Sequence, residues 1–211
     1  MDRHTRPEPE RAALLTVDVQ NDFTRPGAPA EIAGTADAVP EMRRVVEAFR
    51  DAGRPVLHVL RLYEGDGSNA ERCRRGTVAE TPVVRPGTDG AELVAELRPD
   101  PDAAVDADRL LDGEFQSVGP SEWYAFKPRW SAFFDTGLAD FLRERDVSTV
   151  VVCGCNFPNC PRATVYDATA HDFRVVFVPD ATSGTYGRGL EELDGIGVAV
   201  RDAGAVADWV G

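Results

Sequence analysis

The chain reads as an α/β protein: a doubly wound, three-layer α/β/α fold on a mostly parallel six-stranded sheet. Three observations predict it. The runs Leu14–Val19, Pro55–Leu60, Thr149–Cys153 and Val175–Val178 are almost continuously apolar rather than alternating, as strands covered on both faces require. They alternate along the chain with segments of helical spacing, the order that builds parallel sheets from strand–helix–strand units. The length of 211 residues fits one domain large enough to bury a core.

Taken in order, Ala12 to Val19 is predicted as a buried strand. Gln20 to Thr35 is a loop. Ala36 to Ala52 places Val39, Met42, Val45, Val46 and Phe49 at helical spacing, and Gly53 stops the helix. Pro55 to Leu60 is the second strand. Thr88 is the expected N-cap of a short helix through Leu97. Trp123 to Phe126 is a third strand, Asp135 to Arg145 a helix and Thr149 to Cys153 a fourth strand. Pro161 to His171 forms the next helix and Arg174 to Val178 the fifth strand. Val198 to Val200 is the sixth, and Ala203 to Val210 a terminal helix. The long segment Tyr63 to Pro120 is the expected place for a substrate cover or an oligomer contact.

Composition narrows the function. Lys and Arg number 23 against 36 Asp and Glu, a net charge of −13. Nucleic acid and anionic membrane both need a basic footprint, so neither is an expected partner. No apolar stretch approaches the roughly 20 residues that span a bilayer. Residues 1–11 are polar, lack the apolar core of a leader, and are expected to be a flexible tail ahead of a single domain at 12–211. A cytoplasmic, reducing location follows as an expectation. The cysteines are Cys73, Cys153, Cys155 and Cys160. The last three have neither zinc spacing nor a nearby His, and a disulfide framework is not expected.

Chemistry concentrates at strand ends. Asp18 closes the first apolar run, Lys127 follows Trp123–Phe126, and Cys160 lies just past Val150–Gly154. In an open parallel sheet, ligands bind where the carboxyl ends of the strands gather. An acid, an amine and a thiol meeting there suit nucleophilic attack on a carbonyl. Cys160 also falls at a predicted helix start, where the local positive potential favours a thiolate and free N–H groups suit an oxyanion. The plainer readings are a buried structural cysteine, a turn aspartate and a solvated lysine.

The segment Thr16–Phe23 resembles the D-x-Q-x-D-F opening of the isochorismatase-like cysteine hydrolases, the nicotinamidase-related amidases. Lys127–Thr136 resembles that family's lysine motif, and Gly154–Thr164, on to Asp167–Ala168, its nucleophile segment. Val178–Ala181 resembles a later strand end. The motifs occur in the family's order. The resemblance implies Asp18 as acid/base, Lys127 as the family's lysine and Cys160 as nucleophile. It also implies a cis peptide at Cys155–Asn156 and an oxyanion hole from the N–H groups of Asn156 and Cys160.

Two departures stand out. Asn156 and Phe157 replace the family's small aliphatic residue and Thr. His58–Glu64 lacks the D-x-H pattern with which nicotinamidases hold a metal, so neither metal nor cofactor is expected. His58, inside a strand, reads as a satisfied core residue. Phe23, Tyr63, Trp130, Phe134, Phe157 and Tyr186 are candidate walls of an aromatic-lined pocket. Arg61 and Arg129 are candidates for an anionic group, against the plainer reading of salt-bridge arginines.

The expectation is a metal-independent hydrolase that cleaves a C–N bond of a small amide, carbamoyl or lactam substrate through a Cys160 thioester. The resemblance implies a homo-oligomer. Two alternatives stay open: a vinyl-ether hydrolase using Asp18 as general acid, and a non-catalytic binding protein on the same fold.

Overall fold

Unbroken burial along the central strands decides the architecture. In the computed structural model, which describes residues 2–211, strands β1 (Ala12–Val17), β2 (Val56–Leu60) and β5 (Thr149–Gly154) are buried at every position. In chain order, β1 is followed by the short helix α1 (Asn21–Thr24), α2 (Thr35–Asp51), β2, α3 (Arg75–Glu80) and α4 (Ala107–Leu111). Then come β3 (Gln116–Gly119), β4 (Glu122–Phe126), α5 (Leu138–Arg143), β5 and α6 (Cys160–Ala170). The chain ends with β6 (Arg174–Thr182), α7 (Gly187–Gly195), β7 (Ala199–Val200) and α8 (Ala203–Val210).

The sheet has seven strands in the order β3-β4-β2-β1-β5-β6-β7. Every neighbouring pair is parallel except β3 and β4. The expected count of six missed β3. This edge strand pairs as a hairpin with β4, and its Gln-Ser-Val-Gly sequence is half-exposed and carries no apolar period. Successive strand residues feed opposite faces. Leu14, Val151 and Val176 pack under α2 and α8 with Met42, Val46, Phe49 and Val206. Leu15, Val150 and Val152 pack under α5, α6 and α7 with Leu142, Val165 and Leu193. These are the three layers.

Local departures from the sequence reading have physical causes. The helix expected over Thr88–Leu97 is two 3-10 turns, Asp89–Ala91 and Ala95–Leu97. Between them Leu93 is drawn into an antiparallel bridge with Gln20. The Thr88 hydroxyl donates to the Arg85 carbonyl at 2.8 Å rather than capping a helix. Residues 8–11, expected within a flexible tail, are docked instead. Glu8 donates its N–H to Thr149 Oγ1 at 3.0 Å and accepts from Ser148 Oγ at 2.5 Å, while Arg11 Nε donates to the Asp146 carbonyl at 3.0 Å. Among the described residues no helix is long and apolar enough to cross a membrane.

The sheet order positions the site. The chain enters at β1, builds outward through β2 and β4, then returns to β5 on the other side of β1. That reversal opens a crevice at the carboxyl ends of β1 and β5. Gly154 makes it tight. Its φ is 122°, and a Cβ there would lie 2.2 Å from the Val17 carbonyl oxygen. Only glycine fits where β5 closes against the residue preceding Asp18.

Candidate active site

Backbone hydrogen bonds register the three strand ends. The Asp18 N–H donates to Val59 O at 2.9 Å, the Lys127 N–H to Leu60 O at 3.1 Å and the Cys155 N–H to Val17 O at 2.9 Å. Asp18 leaves β1 with φ of 55°, a left-handed conformation that an Asp tolerates better than most residues. Its carboxylate turns inward and is 4% exposed, while Lys127 is wholly buried. Lys127 Nζ lies 2.9 Å from Asp18 Oδ2 and donates to the Arg129 carbonyl at 3.2 Å. Among the described residues Asp18 Oδ1, although buried, has no hydrogen-bond partner.

Cys160, the first residue of α6, lines the same small cavity as Asp18 and Lys127. Burial, then the Asp18 charge, push its thiol up to about 12, against the opposing pull of the Lys127 ammonium. Burial works against the Lys127 ammonium, but Asp18 and Cys160 outweigh it and hold its pKa above the usual range. The Cys155–Asn156 peptide is cis. Among the described residues neither the Asn156 nor the Cys160 N–H donates to a protein acceptor. The neighbouring Phe157 N–H is committed to Ser183 O at 2.8 Å.

The candidate walls divide. Phe23, Tyr63 and Trp130 line the cavity. Phe157 does not: it is fully buried in the core beneath α6 and α7, 5.0 Å from the Phe177 ring. The reason lies in Gly189, where a Cβ would sit 2.4 Å from the Phe157 ring and block that seat. Tyr186 is exposed beyond Phe157, its hydroxyl accepting from Arg162 at 2.6 Å. Phe134, 53% exposed, lies in an open groove outside the cavity. These three are corrected from walls to core and surface.

The sequence reading missed Ile32, Cys155 and Arg74 as lining residues. It also missed Gln20, whose side chain donates to the Arg61 and Ala91 carbonyls at 2.8 and 2.7 Å and accepts from the Arg61 N–H at 2.7 Å. The D-x-Q motif carried that signal. Arg61 is buried in an ion pair with Glu71 and donates to the Lys127 carbonyl at 3.0 Å. Arg129 donates to the carbonyls of Asn69 and Pro128 at 2.8 and 2.6 Å. A larger groove of about 570 Å³ runs beside α2, but among the described residues no thiol or imidazole lines it. Its arginines Arg25, Arg43 and Arg44 are held by Asp89, Glu47 and Glu41.

A metal does not fit the residues after β2. Both nitrogens of His58 are committed, Nδ1 to Thr16 Oγ1 at 2.7 Å and Nε2 to Glu122 Oε1 at 2.6 Å. The Arg61 guanidinium occupies the next position toward the cavity. Among the described residues no group of three His, Cys, Asp or Glu side chains is placed to hold an ion.

With this geometry in place, the isochorismatase domain family matches residues 12–193. The chain belongs to that family. It is 37% identical over 175 residues to a probable inactive nicotinamidase of Arabidopsis thaliana, covering 81% of this chain and 80% of that protein. It is 33% identical over 172 residues to maleamate amidohydrolase of Pseudomonas putida, covering 80% and 70%. The crystal structure of an isochorismatase family protein from Desulfovibrio vulgaris superposes with a TM-score of 0.80 at 35% identity, covering 94% of this chain and 97% of that one. The α/β architecture is therefore the family's own.

Proposed function

We propose that this chain is a metal-independent cysteine hydrolase that cleaves a C–N bond of a small amide through a thioester on Cys160. The observation that carries the reading is the unpartnered Oδ1 of Asp18, whose other oxygen is held by Lys127, in the cavity that also holds the Cys160 thiol. A buried acceptor left open beside a thiol is a natural destination for its proton.

The chemistry follows from the charges. With the thiol pushed up to about 12, a resting thiolate at pH 7 is a minority of about one in 10⁵. Deprotonation is therefore coupled to attack. Asp18 takes the Cys160 proton as sulfur bonds to the amide carbon, and Lys127 balances the charge that moves onto the sulfur and away from Asp18. The carbonyl electrons move to oxygen, where the free N–H groups of Asn156 and Cys160 receive it, each worth about 3 kcal/mol. Collapse of the intermediate expels the amine, which takes the proton from Asp18. Water, deprotonated by Asp18, then attacks the thioester carbon; the C–S bond breaks, the Cys160 sulfur takes the proton back from Asp18, and the acid leaves. The amidohydrolase name of the Pseudomonas relative supports the amide class.

The test is release of ammonia or amine from a panel of small amides, ureides and lactams, by wild type and Cys160→Ala. Turnover of at least one member, lost by about 10³-fold or more in the variant, is the expected result. Full turnover by Cys160→Ala removes the covalent route. No turnover of any member by a folded wild type favours a non-catalytic protein on this fold, a reading raised by the name of the plant relative.

A further inference from the structure

The cavity is unusually cationic for so acidic a chain. Lys127, Arg61 and Arg74 all line it, against the single carboxylate of Asp18. Two of these cations are spoken for. Lys127 is paired with Asp18, and Arg61 with Glu71. Arg74, half-buried just before α3, is different. Among the described residues its guanidinium has no carboxylate and no hydrogen-bond acceptor, although the chain carries an excess of 13 acidic residues. Its flanking arginine is satisfied: Arg75 donates to Ala70 O at 3.2 Å and Ser68 O at 3.1 Å. Burial raises the pKa of the Tyr63 phenol on the cavity wall, and the charges of Arg61 and then Arg74 pull against it.

We infer that Arg74 determines specificity, holding a carboxylate carried by the substrate, so that the preferred amides or ureides are anionic. The inference rests on the function proposed above and names its substrate class. A guanidinium presents a planar fork that matches a carboxylate in two parallel hydrogen bonds. Arg61, already engaged by Glu71 and the Lys127 carbonyl, is not free for that role. Phe23, Tyr63 and Trp130 supply apolar walls of the same cavity. The cavity is small, which suits a short acid with one amide group.

The experiment is binding to the Cys160→Ala protein by calorimetry, which needs no turnover. The probes are short anionic amides (oxamate, malonamate, succinamate and N-carbamoylglycine), each paired with its neutral amide counterpart. At least one anionic member is expected to bind about tenfold or more tighter than its neutral partner, as a charge-assisted hydrogen bond supplies. Arg74→Gln in the same background should reduce that preference to about twofold, while Arg74→Lys keeps part of it. Equal affinity within every pair, binding of none of the anions, or an anion preference that survives Arg74→Gln overturns the inference. Its failure is separable from failure of the hydrolase reading. Turnover of neutral amides alone would leave the Cys160 chemistry standing and remove the role of Arg74.

Discussion

Two buried polar networks lie side by side on the same strands, and they differ in completeness. The first runs from Thr16 on β1 through His58 on β2 to Glu122 on β4 and out to Arg50. A carboxylate only accepts, so His58 Nε2–H donates to Glu122 and Nδ1 accepts from the Thr16 hydroxyl. Burial lowers the His58 pKa against the pull of Glu122, keeping the ring neutral. Arg50 closes the chain with bonds of 2.9 and 2.6 Å to both Glu122 oxygens and a third, of 2.6 Å, to Leu97 O. The second network begins two residues later, at Asp18, and ends at Lys127 and Cys160. It leaves Asp18 Oδ1 without a partner and two backbone N–H groups free, beside a cavity. Both contain residues that pass for catalytic by type. Saturation of hydrogen bonds separates the structural group from the one proposed to react.

This comparison breaks if the two networks respond alike to mutation. Asp18→Asn should lower kcat/KM on a panel substrate by about 10³-fold, within the range for loss of a general base. Glu122→Gln should leave kcat/KM within about twofold but cost about 3 kcal/mol in urea unfolding. That figure is the low end for breaking a buried pair, because Arg50 is partly exposed and can rehydrate. A large catalytic loss in Glu122→Gln would erase the distinction.

Acid sharpens the contrast. The folded-state pKa of His58 lies below its ordinary 6.5, so the stability tied to its neutral form is present above 6.5 and is lost as pH falls through the depressed value. Despite burial acting in the other direction, His58 and Arg50 hold Glu122 below its ordinary 4.5, so its share is present above 4.5 and is lost at lower pH still. Unfolding free energy, measured by urea from pH 7.5 down to pH 5, should fall for wild type and fall less for His58→Gln. A wild-type curve flat over that interval would contradict a neutral buried His58.

The smallest expected effect is on thiol reactivity. Cys160 alkylation, followed on its own peptide because Cys73 is exposed, should climb with pH toward about 12 in wild type. Asp18 raises the thiol and Lys127 lowers it. Asp18→Asn should therefore move the profile to lower pH, and Lys127→Met to higher pH. The reverse order would show that the site charges are assigned to the wrong partners.

What could be read from the sequence follows what strand position controls. Asp18, Lys127 and Cys160 were legible because each ends a strand or opens the helix after one, and sheet topology then brings them together. His58 was legible as core because it sits inside a continuously apolar strand. Side chains outside strands obey contacts that local pattern does not contain. Phe157, the residue directly after the cis bond and three from the thiol, turns inward because Gly189 lacks a Cβ, a neighbour 32 positions along the chain. Trp130 reaches the cavity while Phe134, four residues on, faces an outer groove. Arg74 lies in the long Gly- and Pro-rich segment where no period points to a face, and its importance rests on the absence of a partner. Strand β3 escaped for a related reason: an exposed edge needs no apolar alternation.

The measurement closest to the central claim is the mass of the protein in mid-reaction. Wild type mixed with a turned-over amide and quenched in acid should carry an adduct equal to the substrate less its amine, located on the Cys160 peptide and absent from Cys160→Ala. An unmodified Cys160 throughout turnover, with Cys160→Ala releasing amine at the wild-type rate, would contradict it.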